Sequence, residues 1–301
     1  MVGFVYWATA MTHEHLLRTT WIVAAAMLVA CGSSTVAEPS DPPLQPRYPD
    51  PPVDRSAVVF EQDRILEVAI DIDPDDWDEL REQTRSFSDV FGTNCLDAPP
   101  PRPFTYFPAQ VTIDGELIED VGARKKGFFG SLDTEKPSLK ISFNEYRLGQ
   151  RFAGMRRLTL NNSKQDPSYV KQCVGYDLFR KAGVPASRCN FAHVTVNGND
   201  LGLYVHVEGI KKEMLRRYFP DTDGNMYEAA LSDFRPDWIN TWERKTNEHP
   251  DGPQFDDRSG LEAIVTALAA DDAGLVAALA PLINLDDFYT FWAMEVLIAH
   301  L

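Results

Sequence analysis

The chain has 301 residues, of which 44% are hydrophobic, and its formal net charge is −16, from 45 acidic and 29 basic residues. This length suits one large globular domain or two small ones, and chains of this size bury roughly three-quarters of the surface that they expose when unfolded. Nucleic-acid-binding proteins normally present a net basic face, so the acidic balance argues against that class.

An apolar stretch near the N-terminus, TTWIVAAAMLVACGSS, covers residues 19–34. Its run of about ten apolar residues is too short to span a bilayer and fits the hydrophobic region of a secretion signal. A small residue, Ala30, precedes Cys31, as in a bacterial lipobox, where the cysteine is lipidated and becomes the mature N-terminus. We therefore predict a lipoprotein signal peptide over residues 1–31 and a secreted protein anchored to a membrane on its extracytoplasmic side. The alternative is a plain signal peptide, or a short membrane anchor in which Cys31 is incidental. Translation starts at either Met1 or Met11.

The segment that follows is rich in proline, with seven prolines in residues 35–54 and almost no apolar side chains. Such a composition predicts an extended, stiff tether that cannot pack a core. We assign residues 32–57 to this tether and residues 58–301 to the folded domain.

Three cysteines remain if Cys31 is lipidated. Cys173 falls within a predicted helix and Cys189 at the start of the next strand, so a chain that folds back would bring them within disulfide range, about 6 Å between α-carbons. In an oxidising compartment we expect that pair to be bonded and Cys95 to be free, with two buried thiols as the alternative. The cysteine and histidine spacings do not suggest a zinc site.

The first predicted elements of the domain are mostly strands. ILEVAIDI (65–72) alternates like a half-buried strand, and Asp73 with Pro74 then begins a helix. Residues 86–103 are predicted to be a loop. A hairpin follows that turns at Asp114-Gly115, and SLKISF (138–143) and RRLTLNN (156–162) are further strands.

Helices dominate the later part of the chain. Asp166-Pro167-Ser168 predicts the start of a helix, and a second hairpin turns at Asn197-Gly198. A short basic helix (211–218), a strand in GNMYEA (224–229) and a loop (231–258) come next. Residues 259–270, 272–280 and the segment from Asp286 are predicted to be helical. This order predicts an α+β fold of two lobes.

One basic segment has the composition of an anion site. In SLKISF, alternate apolar residues share one face and Lys140 lies on the other, beside a loop that contains Gly127, Gly130 and Ser131. Glycines let backbone N–H groups approach an anion, and a lysine supplies a point charge. The spacing matches neither the phosphate-binding loop of NTPases nor a kinase glycine-rich loop, so an exposed hairpin with a basic rim is the alternative.

The order of motifs adds a resemblance. VGARKKGFFGS (121–131), KPSLKISF (136–143), LTLNNSKQDPS (158–168), LFRKAGVP (178–185), VNGNDLGLYVHVE (196–208) and DGNMYEA (223–229) together resemble the CotH kinase family, over roughly residues 60–301. The resemblance implies an atypical secreted protein kinase with a kinase-like two-lobed fold, which uses ATP and Mg²⁺ to phosphorylate Ser or Thr of surface proteins. It implies that Lys140 meets the nucleotide phosphates and that Arg124, Gly127, Gly130 and Ser131 line the same pocket. Glu208 would lie in the cleft near the lobe junction.

Two departures from the family pattern qualify this expectation. The family often has an Arg-Glu pair early in the helix after DPS, where this chain has Lys171 and Gln172. The catalytic aspartate and the metal-binding motif of the family follow the last helix, and the sequence to Leu301 contains neither. We therefore expect a complete strand-rich lobe, a truncated helical lobe, and a chain that is inactive because the catalytic residues and metal ligands are missing. The alternative is a non-catalytic surface lipoprotein, acting as a pseudokinase or an interaction module.

Overall fold

The computed structural model describes residues 7–8, 54–93, 95–222, 224–229, 232–245 and 257–298. Two compact units are distinguished, residues 1–10 with 54–301 and residues 11–53, and the second lies wholly outside the described residues. The predicted lipidation site at Cys31 and nearly all of the predicted tether therefore fall outside the described part of the chain.

The strands form two sheets. Strands β1 (Trp7–Ala8), β9 (Met226–Glu228) and β10 (Glu243–Arg244) make a small sheet with β9 in the centre. The large sheet contains β2 (Ile65–Ile72), β3 (Phe107–Ile113), β4 (Glu116–Lys126), β5 (Ser138–Ser142), β6 (Arg157–Asn161), β7 (Cys189–Val196) and β8 (Asn199–Val207). It closes on itself in the order β2-β3-β4-β5-β6-β8-β7, and the parallel pairing of β2 with β7 makes the closure.

Alternation along the strands explains why they close around a core. In β2, Leu66, Val68, Ile70 and Ile72 are buried while the residues between them are more exposed, and β3 repeats the pattern. The inward residues of all seven strands contribute to one apolar cluster. Both predicted hairpins are confirmed. The two-residue turns Asp114-Gly115 and Asn197-Gly198 have positive φ throughout, which glycine and asparagine or aspartate tolerate.

Seven α-helices accompany the sheets in the described part of the chain. They are α1 (Pro74–Glu82), α2 (Phe87–Phe91), α3 (Lys171–Lys181), α4 (Lys212–Tyr218), α5 (Ser259–Ala267), α6 (Leu275–Leu279) and α7 (Leu285–Leu297). The start of α1 is as predicted, because Oδ1 of Asp73 accepts a hydrogen bond from the Asp75 N–H at 2.9 Å and Pro74 occupies the first helical position. Among the described helices, none has the length and apolar character needed to cross a membrane.

Three predictions of local structure were wrong. Helix α3 begins at Lys171 rather than at Asp166-Pro167-Ser168, because the Asp166 carboxylate closes a turn by accepting from the N–H groups of Ser168 and Lys171, and Tyr169 adopts a φ of 62°. The segment 86–103, predicted to be a loop, contains α2. The predicted loop 231–258 contains a 3-10 helix (Pro236–Thr241) and β10.

Helix α3 packs on the outer face of the closed sheet. A disulfide joins Cys173 in α3 to Cys189 in β7, with the α-carbons 5.1 Å apart, and Cys95 is a free cysteine. Buried Val205 and Val207 of β8 pack with this disulfide region and with Tyr176. The chain therefore has the α+β architecture that its sequence predicts, with one helix fixed covalently to the outside of the sheet.

The disulfide spans 16 residues, which sets the expected effect of its removal. Replacing both cysteines, Cys173→Ala with Cys189→Ala, should lower the free energy of unfolding by about 3 kcal/mol, because a loop of this length gains that much entropy in the unfolded chain. Urea unfolding of the oxidised protein would measure the change. Cys95→Ala is the matched control, and an equal loss in that variant would contradict the assignment.

A buried histidine predicts the acid sensitivity of the fold. His206 is fully buried and stacks on Phe60 with ring centroids 4.6 Å apart, and neither ring nitrogen has a hydrogen-bond partner among the described residues. Burial, and to a smaller extent Arg188, lowers the pKa of His206 to about 3. The unfolded chain then binds a proton at a higher pH than the folded protein, so stability contributed by neutral His206 is lost as the pH falls below about 6.5.

We expect this residue to remove about 2 kcal/mol of stability between pH 7 and pH 5. His206→Leu should abolish that part of the pH dependence and should also remove two unpaired buried nitrogens. Urea unfolding at pH 7 and pH 5 would measure both effects. An unchanged difference between the two pH values in the variant would refute the prediction.

Candidate functional site

Lys140 lies on the outer face of the closed sheet, as its sequence pattern predicts. Its strand neighbours Leu139 and Ile141 are fully buried in the core, and the Lys140 side chain on the opposite face is half-buried. The residue directly opposite it on β4 is Arg124, and the residue opposite on β6 is Thr159. Like charges directly across two strands repel one another, so this pair destabilises the sheet unless an anion lies nearby.

Four cations surround Lys140. Burial, and then repulsion by these neighbours, holds the pKa of the Lys140 ammonium well below its usual value. The neighbours are Arg124, Arg157, Lys126 and Lys211. Together with Lys140 we call these residues the cationic cluster. Within the described ranges, the Lys140 ammonium has neither a hydrogen-bond partner nor an ion-pair partner. A half-buried lysine without an acidic partner is a candidate for binding an anionic ligand.

Arg124 is held in place by an aromatic ring. Its guanidinium carbon lies 5.2 Å from the centroid of the Tyr106 ring, and Nη1 donates to the backbone oxygen of Lys125 at 3.2 Å. Stacking of this kind orients a guanidinium and leaves its other donors available to a carboxylate or phosphate. The structure therefore brings Arg124 and Lys140 together on one surface, as predicted.

Lys126 is a member of the cluster that the motifs did not assign. Its ammonium donates a hydrogen bond to Oδ1 of Asn161. Burial first, and then Arg124, lowers the pKa of Lys126 to about 8, while Glu228 acts in the opposite direction. Gln172, which stands where the family often has glutamate, is linked through Asn161 to Lys126.

The loop that contains Gly127, Gly130 and Ser131 is closed by hydrogen bonds between its own residues. The Phe128 N–H donates to Oγ of Ser131 at 3.0 Å, and the Ser131 N–H donates to the Phe128 carbonyl at 2.8 Å. Gly127 has a φ of 143°, and a side chain at Gly130 would collide with Gln165. Two N–H groups of the loop are therefore used by the turn itself, and the positive φ of Gly127 requires glycine there, whereas the atoms nearest Gly130 belong to the end of the flexible Gln165 side chain.

Glu208 has partners other than Lys140. Its carboxylate accepts hydrogen bonds from Arg188 at 2.7 Å and 3.2 Å and also contacts Arg217, and only 7% of Glu208 is exposed. Alternation along β8 directs Val207 to the outer face, so Glu208 follows on the other side. The structure therefore places Glu208 in a buried ion-pair network and not beside Lys140 in a shared cleft.

The described part of the chain also bears on the metal that the resemblance implies. Across the described ranges, three or more His, Cys, Asp or Glu side chains do not converge in a geometry that could hold a metal ion.

Three members of the cluster were not assigned to the site from the sequence. Lys126 belongs to the Arg-Lys-Lys run at 124–126, the densest basic run of the chain, and alternation places it on the same face as Arg124. Arg157 and Lys211 had no local signal. They join the cluster through the pairing of β5 with β6 and through the chain that leads into α4.

Comparisons with known proteins cover the region of this site. A family model described as CotH kinase protein matches residues 123–301, which is more than half of the chain and includes every member of the cationic cluster. An inner spore coat protein H-like protein of Bacillus subtilis (strain 168) is 32% identical over 84 residues, which are 28% of this chain and 26% of the relative. The inner spore coat protein H of the same organism is 29% identical over 114 residues, 38% of this chain and 30% of the relative.

Each aligned stretch thus spans less than a third of the relative's own length. The family match rests on a larger part of the chain and begins one residue before Arg124. On that match, the chain belongs to the CotH kinase protein family.

Proposed function

We propose that the cationic cluster binds the phosphates of ATP and that the chain is the nucleotide-binding part of an extracytoplasmic protein kinase. One observation carries the proposal: Lys140 is half-buried among four other cations, and the described residues give its ammonium no partner. Membership of a family described as kinases supports ATP as the anion. In the kinase-like fold that we infer, the closed sheet is the nucleotide side and the later helices belong to the second lobe.

The electrostatics favour a ligand with several negative charges. A charge that is buried without a partner is costly, and repulsion between Lys140 and Arg124 adds to that cost. A phosphate group would receive hydrogen bonds from both side chains and would relieve the repulsion. Because the whole chain carries a net charge of −16, a polyanion would be repelled from most of its surface and attracted locally to this cluster.

The roles of the residues follow from their positions. Lys140 supplies a point charge from the centre of the cluster, and Arg124, oriented by Tyr106, supplies further donors at its edge. When ATP is bound it supplies the phosphoryl group to be transferred, and by the resemblance the acceptor is a Ser or Thr of a surface protein. The described residues contain no group of three or more His, Cys, Asp or Glu side chains that could hold Mg²⁺, so the role we propose for them is nucleotide binding.

Lys140→Met tests this proposal directly. Loss of the central charge should weaken binding of a non-hydrolysable ATP analogue about tenfold, because a hydrogen bond to a charged group contributes about 1.5–3 kcal/mol. Isothermal titration calorimetry on the full chain at pH 7 would measure the dissociation constants.

Lys181→Met is the matched control, since Lys181 is an exposed lysine of α3 that pairs with Asp177 at 2.7 Å. The control should bind as tightly as the unmodified protein. Absence of nucleotide binding by the unmodified protein would favour a non-catalytic surface module. Equal binding by Lys140→Met would show that the nucleotide binds elsewhere.

We also propose that the protein is attached to a membrane through lipidated Cys31, with residues 32–57 as the tether. The lipobox-like sequence before Cys31 and the prolines after it support this proposal. Cys31→Ser should move the protein from the membrane fraction to the soluble fraction, whereas the control Cys95→Ser should stay with the membranes. Fractionation of expressing cells would decide the matter, and continued membrane association of Cys31→Ser would refute lipid anchoring.

A further inference from the structure

Lys126 has the geometry of a second ligand-binding lysine. It is the last residue of β4 and shares the outer face with Arg124, two residues earlier. The hydrogen bond to Oδ1 of Asn161 is the one that the described residues give to its ammonium. An ammonium has three N–H donors, so two remain for a ligand.

Asn161 is itself oriented by α3. Its Nδ2 donates to Oε1 of Gln172 at 2.8 Å, and that donation turns Oδ1 of Asn161 towards Lys126. Gln172 precedes Cys173, whose disulfide to Cys189 fixes α3 on the sheet. The position of Lys126 is therefore set through two amide side chains from a helix that is covalently attached.

The Asn161 and Gln172 amides are neutral, so they leave the positive charge of Lys126 available to an anion. A carboxylate in place of either amide would neutralise part of the charge on Lys126 and would repel an incoming anion. An amide oxygen orients the ammonium and leaves its charge available. Burial lowers the pKa of Lys126 most; of the neighbouring charges, Arg124 lowers it further and Glu228 in β9 raises it.

We propose that Lys126 is a second anion-binding residue of the cationic cluster and that Asn161 and Gln172 are positioning residues that aim it, so that the site takes a di- or triphosphate group in preference to a single phosphate. This inference rests on the proposed function. Two residues along an antiparallel strand separate Lys126 from the Arg124–Lys140 pair by about 7 Å, a spacing that suits a chain of phosphates.

The test uses inorganic triphosphate and orthophosphate as probes, because neither carries a base or a sugar. Calorimetry on the full, disulfide-bonded chain at pH 7 should find triphosphate bound more tightly than orthophosphate. Lys126→Met should weaken triphosphate binding about tenfold, through loss of a charge-assisted hydrogen bond. Lys126→Arg keeps the charge and should bind within about threefold of the unmodified protein, and Lys181→Met is again the control.

The pH profile separates a binding role from a structural one. The pKa of Lys126, about 8, means that this residue loses its charge between pH 7 and pH 9, so triphosphate affinity should fall over that range. In Lys126→Arg the fall should be shallower, because a guanidinium stays protonated.

Two variants test the positioning residues. Gln172→Leu frees the Asn161 amide and should weaken triphosphate binding about fivefold, by the loss of a correctly aimed donor. Asn161→Asp should weaken binding at pH 7 and should move the alkaline fall in affinity to higher pH, because a carboxylate beside Lys126 raises its pKa. A role limited to folding would leave the position of that fall unchanged.

The outcomes distinguish this inference from the proposed function. If the unmodified chain does not bind triphosphate, or if Lys140→Met binds it equally well, the proposed function fails and this inference fails with it. If Lys140→Met is weakened while Lys126→Met binds like the control, the inference about Lys126 fails alone. Equal affinity for orthophosphate and triphosphate overturns the preference for a phosphate chain.

Discussion

The parallel pairing of β2 with β7 closes the large sheet, and most features of the molecule depend on that closure. Residues 65–70 lie beside residues 191–196, so a strand from the beginning of the domain joins one that follows α3. The closed interior is filled by apolar side chains from all seven strands. Among the described residues, the cationic cluster and the Glu208 network lie outside this apolar interior, whereas His206 is buried against it.

These two groups of charges have opposite character. The network around Glu208 is balanced, because two carboxylates, of Glu208 and Asp54, lie beside the two guanidinium groups of Arg188 and Arg217. Such a network has a sufficient structural explanation, since each charge satisfies another. Around Lys140 the named neighbours are all cations, and repulsion adds to burial in lowering its pKa. Lys140, which has no acidic partner among the described residues, gains most from a ligand of opposite charge, which is why we attach the function to it.

Helix α3 connects the fold to this cluster. Its disulfide to β7 holds the helix on the outer face of the sheet, where Val205 and Val207 of β8 complete a small apolar contact. The same attachment brings Gln172 to Asn161 on β6, beside Lys126. The disulfide and this apolar contact thus fix the position of α3, and with it the positions of the Gln172 and Asn161 amides beside Lys126.

The sequence by itself determined the elements whose signals are local. Alternation in ILEVAIDI and SLKISF predicted the strands and the outward direction of Lys140, because side chains point to alternate faces of a strand whatever lies beyond it. The turns at Asp114-Gly115 and Asn197-Gly198 were predictable because few residue pairs tolerate two positive φ angles. The beginning of α3 could not be predicted in the same way. The Asp166 carboxylate can cap either a helix or a turn, and here it closes a turn.

Only the tertiary structure decided which charges meet. Arg157 and Lys211 reach Lys140 through strand register and the path of the chain into α4, and neither follows from the residues nearby. The sequence assigned Glu208 only to the cleft near the lobe junction, and the structure shows what it could not: the carboxylate is bonded to Arg188 and Arg217. The physical reason is that electrostatic interactions depend on distance in space, whereas a sequence pattern reports only distance along the chain.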